Sequence, residues 1–404
     1  MAQSKSWSAK LRRDAFLIVL ICAAVTEGTS ALGLKLLGFP VYWTDEALNR
    51  PKEIPLRSDK DPWGRWGIPS TTSHLVSTCY NVEYKFNSVG ARDREREIQS
   101  PKRWIVLGDS GPEGWGIEEN DRFTDILEQK LGWEFANFSN EGFGPLNYLL
   151  VYKLLAKKFE HYGVIVGFSL YNDFSDGDVV SARESNDRDN TYWPWWILAA
   201  DGRSYRIIYG VNGDAKPRLS ANVAPPDDEQ KSKQDQSSTI RVIGRDLSRV
   251  SATFSLLRQL SAQRTERGLF KMPRNWGGFT DNPRQITAAT LIMHDLAQEI
   301  GNRPKILIML PLHANLVEVR KRGTNYSKEV EQFLDGLRAD GWTIIDPTDF
   351  LLPLDQSEDI TVSCPWEIHW NAKTNAQIAD FLIQHYRGVL TGEAAPIGRQ
   401  SSQR

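Results

Sequence analysis

The apolar residues of this chain fall in short continuous runs, each bounded by Gly, Asp, Asn or Pro. Such runs occupy residues 103–109, 133–139, 162–170, 305–312 and 342–348. A continuous apolar run of this length is typical of a strand that is buried on both faces of a parallel sheet. The pattern therefore predicts at least five buried strands.

Apolar residues at helical spacing follow most of these runs. They are Phe123, Ile126, Leu127 and Leu131 after the first run, and Leu146, Leu149, Leu150 and Leu154 after the second. Two more helices are predicted at about 327–339 and 372–386. Strands that alternate with helices predict an α/β fold with three layers, α/β/α, around a central parallel sheet. Ligands of such sheets bind beyond the carboxyl ends of the strands.

The same pattern divides the chain into segments. We expect an N-terminal segment at 1–40, a lead-in rich in Pro, Trp and charge at 41–100, a main domain at 101–390 and a disordered tail at 391–404. An insertion at about 177–300 interrupts the main domain and is too long to be a plain loop. It contains a polar stretch at 224–238, expected to be mobile, and a segment of helical character at 239–264.

The insertion also carries the tryptophans Trp193, Trp195 and Trp196 within the sequence YWPWW. Three interpretations are open: stacking on sugar rings, contact with the membrane interface, or packing in the core.

The N-terminal segment has the composition of an export signal. Basic residues precede an apolar run at 15–25, and apolar character resumes at 31–37 after a polar break at 26–30. A retained signal anchor, a cleaved signal peptide and an ordinary buried helix all remain open. The one-sided positive charge favours the anchor, a single pass through the inner membrane, with the rest of the chain in the periplasm or outside the cell.

Net charge, cysteine content and the absence of ligand motifs in the sequence bear on nucleic-acid binding, disulfide formation and metal binding. The formal net charge is −2, which gives no electrostatic reason to expect a nucleic-acid partner. An oxidising compartment permits a disulfide between Cys79 and Cys364, although two unpaired thiols are an equal alternative. No metal-ligand motif such as C-x-x-C or H-E-x-x-H occurs, so we expect neither metal nor cofactor.

Candidate functional residues lie where the predicted strands end. Ser110 follows the first strand, Gly142 the second and Asn172 the third, while His369 precedes the last helix. A serine attacks a carbonyl when a base takes its proton and N–H donors stabilise the oxyanion. His369 is the candidate base, and the backbones of Ser110 and Gly142 and the side chain of Asn172 are the candidate donors. Glycines beside Ser110 let the chain turn sharply there.

These motifs, in this order, resemble those of the SGNH hydrolases, also called GDSL-type esterases. The matching blocks are GDS at Ser110, the glycine of NFSNEGFG at Gly142, YND at Asn172 and EIHWN at His369. The segment FNSVGARDRE is also similar to the lead-in of membrane-anchored bacterial members. The resemblance covers about residues 85–384, with the insertion weakly matched. It implies a flavodoxin-like fold, a Ser-His-acid esterase, and an oxyanion hole formed by Ser110, Gly142 and Asn172.

The acid of the triad departs from the family pattern. The family usually has aspartate three residues before the histidine, whereas Trp366 stands there and Glu367 lies two residues before His369. Glu367 is our candidate for orienting the imidazole. His313 also lies at the ligand edge and is a rival base or a substrate contact. Asp109 is expected to organise the loop.

Two other motifs are excluded. GDSGPEGWG lacks the lysine of a phosphate-binding loop, and Glu113 would repel a phosphate. It also fails as a G-x-S-x-G nucleophile elbow because Pro112 occupies the last position.

Three functions are compatible with the sequence. The first is an extracytoplasmic serine esterase that removes O-acyl groups, chiefly acetyl, from a cell-surface glycan or a related ester; the glycan is suggested by the resemblance alone. The second is an O-acetyltransferase acting on an exopolysaccharide, which would use the same residues. The third is a non-catalytic glycan-binding or assembly module in which Glu367 marks a decayed triad.

Overall fold

A computed structural model describes residues 2–36, 53–77, 79–185, 192–210, 251–257, 282–323, 326–357, 359–362 and 368–393. The chain forms two compact units, one of residues 1–50 with 225–271 and the other of residues 51–224 with 272–404. The polar stretch expected at 224–238, most of the tail at 391–404 and most of the helix expected at 239–264 lie outside the described residues.

The smaller unit begins with one long helix, α1 (Ala2–Leu36). Its portion Phe16–Leu36 is long and apolar enough to cross a membrane, and most of its surface is exposed. Length and composition are compatible with a single-pass anchor or a signal peptide. A core helix would be mostly buried, so the exposure of α1 argues against the third interpretation.

The strands of the larger unit are β1 (Arg57–Asp61), β2 (Gly64–Gly67), β3 (Thr72–Val76), β4 (Asn81–Lys85), β5 (Arg103–Gly108), β6 (Glu134–Asn137), β7 (Gly163–Phe168), β8 (Pro194–Leu198), β9 (Tyr205–Tyr209), β10 (Lys305–Met309) and β11 (Trp342–Ile345). Its helices are α2 (Ser110–Glu113), α3 (Phe123–Leu131), α4 (Pro145–Leu154), α5 (Val179–Ser185), α6 (Pro283–Ile300), α7 (His313–Arg322), α8 (Lys328–Ala339), α9 (Thr348–Ser357) and α10 (Ala372–Leu390).

Five parallel strands form the central sheet, in the order β11-β10-β7-β5-β6. Numbered along the chain, this is the 2-1-3-4-5 order of flavodoxin-like folds, with its switch point between β5 and β7. All five apolar runs of the sequence are strands of this sheet. The predicted α/β fold with a central parallel sheet is therefore confirmed.

Alternate side chains of each strand enter two separate cores. Leu107 and Val166 pack with α4, α6 and α8 on one face of the sheet. Val106 and Ile165 pack with α3, α7, α9 and α10 on the other. Because both faces are covered by helices, both sets of strand side chains are apolar, as the continuous runs indicate. Helix α6 falls inside the range assigned to the insertion, yet it packs against α4 in the first core.

The lead-in forms two antiparallel hairpins, β1–β2 and β3–β4. The second hairpin buries Leu75, Val82 and Tyr84 in a small cluster that includes Trp115. Trp115 belongs to the loop that follows β5 and α2. The lead-in therefore supports the part of the chain that contains Ser110. The strands of this second hairpin have only one or two buried apolar positions each, and β1 has no apolar residue, which is too little for a clear pattern in the sequence.

The tryptophans of the insertion lie at the start of the antiparallel hairpin β8–β9. Trp193, Trp195 and Trp196 are 3%, 3% and 1% exposed and belong to the first core. Their burial supports the core-packing interpretation over the two surface roles.

Cys79 forms a disulfide bond, and Cys22 is a free, exposed thiol. The sequence has three cysteines, so this agrees with the Cys79–Cys364 alternative. Cys364 itself lies outside the described residues.

Candidate active site

Ser110 begins the short helix α2 immediately after the central strand β5. Asp109 caps this helix, because its carboxylate accepts a hydrogen bond from the Gly111 backbone at 2.9 Å. A side chain at Gly108 would place its Cβ 2.5 Å from Pro112, so the strand must end in glycine for the turn to close. The sequence GDSG is therefore the tight strand-to-helix turn that presents the serine, with Asp109 organising it.

His369 is held by backbone contacts on both sides. Its carbonyl accepts from the Val362 N–H at 2.8 Å, and the next residue, Trp370, pairs with Thr361 in an antiparallel bridge. Trp370 is buried and donates its indole N–H to the Pro311 carbonyl at 3.1 Å. These contacts fix the position of the loop immediately before α10.

The structure brings these two residues together across 259 positions of sequence. The His369 Nε2 atom lies 2.8 Å from the Ser110 Oγ atom. The imidazole also lies beside the indole of Trp115, with ring centroids 5.9 Å apart and an interplanar angle of 36°. Ser110 is only 8% exposed. This is the distance and burial that a nucleophile and its general base require.

The two other candidate donors lie in the loops that follow the strands on either side of β5. Gly142 comes after β6 and has a φ of +74°, a conformation that favours glycine. Asn172 comes after β7, and its Nδ2 atom donates to Asp176 at 2.6 Å and also interacts with the Asp109 carboxylate. The first N–H groups of a helix have no partner within it, so the Ser110 N–H is not used inside α2. Their roles as oxyanion donors remain predictions.

A buried carboxyl supports the turn that carries Asn172. Asp173 accepts hydrogen bonds from the Ser169 backbone at 2.9 Å and from the Tyr148 hydroxyl at 3.0 Å. Burial raises the pKa of Asp173 well above its ordinary value, and the nearby carboxyls of Asp109 and Asp176 raise it further. Burial likewise raises the pKa of Asp109, although the Gly111 N–H opposes that shift. The turn that carries Asn172 and the start of α2 are thus supported by buried carboxyl groups that are poorly solvated.

A buried arginine that the sequence interpretation missed holds the nucleophile loop in place. Arg92 is 1% exposed, and its guanidinium lies 3.6 Å from the centre of the Tyr84 ring. It donates to four backbone carbonyls: Glu113 at 2.8 Å, Gly114 at 2.7 Å, Ile117 at 2.8 Å and Glu83 at 3.2 Å. Arg92 lies in the FNSVGARDRE segment, which the sequence assigned only to the lead-in.

Glu113 also has a structural role that the sequence did not reveal. It is buried, forms an ion pair with Arg57 of β1, and accepts from the Glu141 backbone at 2.6 Å. It therefore joins α2 to the lead-in and to the loop that contains Gly142.

His313 does not contact Ser110 in the described residues. Its Nδ1 atom lies 2.7 Å from the Asp355 carboxylate, which also pairs with Arg320. The hydrogen bond to Asp355 raises the pKa of His313. The Ser110 contact belongs to His369, so the role of His313 as a rival base loses support, and its role as a substrate contact stays a prediction. Glu367 and Trp366 lie outside the described residues, so the orienting role of Glu367 stays a prediction too.

One group of carboxylates has the spacing of a metal site. Oxygen atoms of Asp93, Glu119 and Asp125 lie within 4.8 Å of one another. Arginines already neutralise them: Arg96 binds Asp93 at 2.9 Å, and Arg122 binds Asp125 at 2.7 Å. The cluster is therefore an ion-pair network beneath the nucleophile loop.

No protein-family model and no curated protein matches the chain significantly. Among solved structures, the fold is similar to a member of the lipolytic protein G-D-S-L family from Veillonella parvula DSM 2008. The identity is 12%, the TM-score is 0.31, and the match covers 70% of this chain and 98% of the other. A similarity this low does not assign a function to any residue of this chain. The proposed roles of the site residues therefore depend on the geometry of the site.

Proposed function

We propose that this protein is an extracytoplasmic serine esterase that removes O-acyl groups, chiefly acetyl, from a cell-surface glycan. One observation carries the proposal: the 2.8 Å contact between His369 Nε2 and Ser110 Oγ. It lies at the carboxyl end of β5, at the switch point where open parallel sheets bind their ligands.

The acylation step follows from this contact. As the Ser110 Oγ bonds to the ester carbonyl carbon, His369 Nε2 accepts its proton. The backbone N–H groups of Ser110 and Gly142 stabilise the negative oxygen. The Asn172 side chain, which donates to Asp176 and Asp109 in the free protein, joins them in the proposed mechanism by exchanging one of these partners for the oxyanion. The protonated imidazole then gives its proton to the leaving sugar oxygen as the carbon–oxygen bond breaks. The products are a free hydroxyl and acyl-Ser110.

Deacylation uses the same groups with water as the nucleophile. His369 removes a proton from water as the water oxygen bonds to the acyl carbon, and it returns the proton to Ser110 as the acid leaves. Glu367 orients the imidazole in this proposal. Such a residue improves catalysis without being indispensable, since serine, base and donors still act together in its absence.

The space beside the nucleophile supports a small acyl group. A Cβ placed on Gly111 would lie 3.0 Å from a methyl carbon of Leu310, and Pro112 packs against Gly108 and Gly167. This close packing and the burial of Ser110 favour a small acyl group over a long chain. The glycan part of the proposal is supported by the expected location outside the cytoplasm and by the sequence resemblance.

Hydrolysis of p-nitrophenyl acetate by the full-length protein tests the proposal. Ser110→Ala and His369→Ala are each expected to lower kcat by about 10⁴ to 10⁶. The exposed His385 is a matched control, and His385→Ala should retain wild-type activity. Wild-type turnover by Ser110→Ala would refute the esterase, and absence of turnover by the wild-type protein, unchanged in Ser110→Ala, would favour the binding module. Transfer of acetyl to an added oligosaccharide faster than release of acetate would instead identify an acetyltransferase.

A further inference from the structure

The polar break in α1 is not explained by catalysis. Residues 26–30, TEGTS, interrupt the apolar span Phe16–Leu36, and Glu27 is the one acidic residue of that span. The hydroxyls of Thr26 and Thr29 bond to the carbonyls of Cys22 and Val25 at 2.8 and 2.9 Å, so the helix itself satisfies them. Helix α1 offers no such partner to a carboxylate, and a charge in a membrane span is costly unless it is paired.

The partner of Glu27 comes from the distant insertion, within the same compact unit. Its carboxylate accepts from the backbone N–H groups of Ala252 and Thr253, the latter at 3.1 Å. It also accepts from the hydroxyls of Ser251 and Thr253, at 2.9 and 2.8 Å. Residues 252–257 are helical, so Glu27 satisfies the free N–H groups with which this helix begins. We call residues 251–257 the docked segment.

Apolar contacts accompany the polar ones. Leu34 of α1 and Ala252 of the docked segment are both completely buried, and Ala31 and Leu256 pack against them. The docked segment is thus held along α1 by a hydrogen-bonded carboxylate and by a small apolar cluster.

The other face of the docked segment is apolar and exposed. Phe254 is 41% exposed and Leu257 is 56% exposed, and residues three apart lie on the same side of a helix. Glu27 precedes Leu36 by nine residues, which places it about 13 Å from the outer end of the span at the helical rise per residue. Leu34 and Ala31, which share the apolar cluster with Leu256, lie only two and five residues before Leu36, so the docked segment extends from the depth of Glu27 towards the outer end of the span. Exposed apolar side chains beside a membrane-spanning α1 would face lipid there.

We propose that residues 26–30 form a docking site within the membrane anchor, and that the docked segment lies in the outer leaflet with Phe254 and Leu257 in contact with phospholipid acyl chains. This inference rests on the part of the proposed function in which α1 is a retained anchor. It does not depend on esterase activity. It accounts for the polar break as the feature that ties the insertion to the membrane.

Depth-dependent fluorescence quenching of the full-length protein in phosphatidylcholine–phosphatidylglycerol vesicles tests the proposal. Leu257→Cys is made on a Cys22→Ala background, since Cys22 is a free thiol, and labelled with an environment-sensitive dye. The background without added cysteine is the blank. We expect lipids brominated on their acyl chains to quench the dye about two-fold. Glu97→Cys, at an exposed position of the larger unit, is the matched control and should not be quenched.

A second variant tests the role of the carboxylate. Glu27→Ala should reduce quenching at position 257 towards the control value, while Glu27→Gln, which keeps an acceptor oxygen, should reduce it less. Glu27→Ala should leave hydrolysis of p-nitrophenyl acetate unchanged, so failure of docking and failure of the esterase proposal are separate results. Equal quenching at positions 257 and 97, or a purified protein cleaved before Glu27, would overturn the inference.

Discussion

Replacing Arg92 with methionine tests whether the lead-in supports the nucleophile. The substitution keeps a side chain of similar length but removes the guanidinium. Four carbonyls then lose a hydrogen bond, and three of them, those of Glu113, Gly114 and Ile117, belong to the nucleophile helix or to the loop after it. The Gly114 carbonyl still accepts from the Ile117 N–H at 3.2 Å, and the Glu113 carbonyl from Arg122 at 3.5 Å.

The lost contacts give the expected decrease in the free energy of unfolding. A buried hydrogen bond contributes about 1 kcal/mol, so loss of the three contacts of 2.7–2.8 Å amounts to about 3 kcal/mol. Loss of the cation–π contact with Tyr84 adds about 1 kcal/mol. We therefore expect Arg92→Met to lower the free energy of unfolding by about 3–5 kcal/mol. Because a domain of this size is stable by about 5–15 kcal/mol, most of the variant should still fold.

Arg94 provides the matched control two positions away. Its side chain is 41% exposed and pairs with the buried Asp125 and with Glu128. Because Arg122 also neutralises Asp125, Arg94→Met should cost only about 1 kcal/mol. The assay is urea unfolding of the detergent-solubilised protein, followed by tryptophan fluorescence, with ester hydrolysis measured in parallel. Arg92→Met should also lose kcat under conditions where it is folded. Equal stabilities of the two variants, with unchanged kcat, would refute the reasoning.

Three further predictions concern the site. Ser110→Ala, His369→Ala and the double variant should all have similar residual kcat, because the two residues act as a unit; a double variant that is slower by the product of both factors would contradict this. Gly142→Ala should cost about 1–2 kcal/mol because the φ of +74° disfavours a side chain, and it should lower kcat more than it changes KM. The pKa of His313 is raised above 6.5 by Asp355, so their ion pair stabilises the fold fully below about pH 6.5 and is lost as the pH rises through the folded pKa. An NMR titration should show a lower pKa for His313 in Asp355→Asn, and an unchanged pKa would contradict the assignment.

The sequence predicted the central sheet because its strands are buried on both faces. The central part of such a run, for example residues 104–107, has no polar position that would hide the pattern. The order of the strands in the sheet depends on tertiary packing and cannot be predicted from any one segment. The hairpins of the lead-in were less clear, because β1 and β3 have polar side chains on most positions.

The reactive pair of the site was also predictable, because glycine-rich strand ends and motif order point to Ser110 and His369. The residues that hold this pair in place were not predictable. Arg92 and Glu113 are charged residues in charged or glycine-rich stretches, and their sequence gives no sign that each is buried by partners from another segment. Asp355, the partner of His313, is likewise 42 positions away. Long-range polar contacts of this kind have no periodicity to reveal them.

Labelling with a fluorophosphonate tests the central claim most directly, because it detects an activated serine without assuming a substrate. The account predicts one covalent adduct, located on Ser110 by mass spectrometry. Its rate should fall as the pH is lowered and the His369 imidazole gains a proton, and it should nearly vanish in His369→Ala. No adduct on Ser110, or labelling at the same rate without the imidazole, would contradict the account.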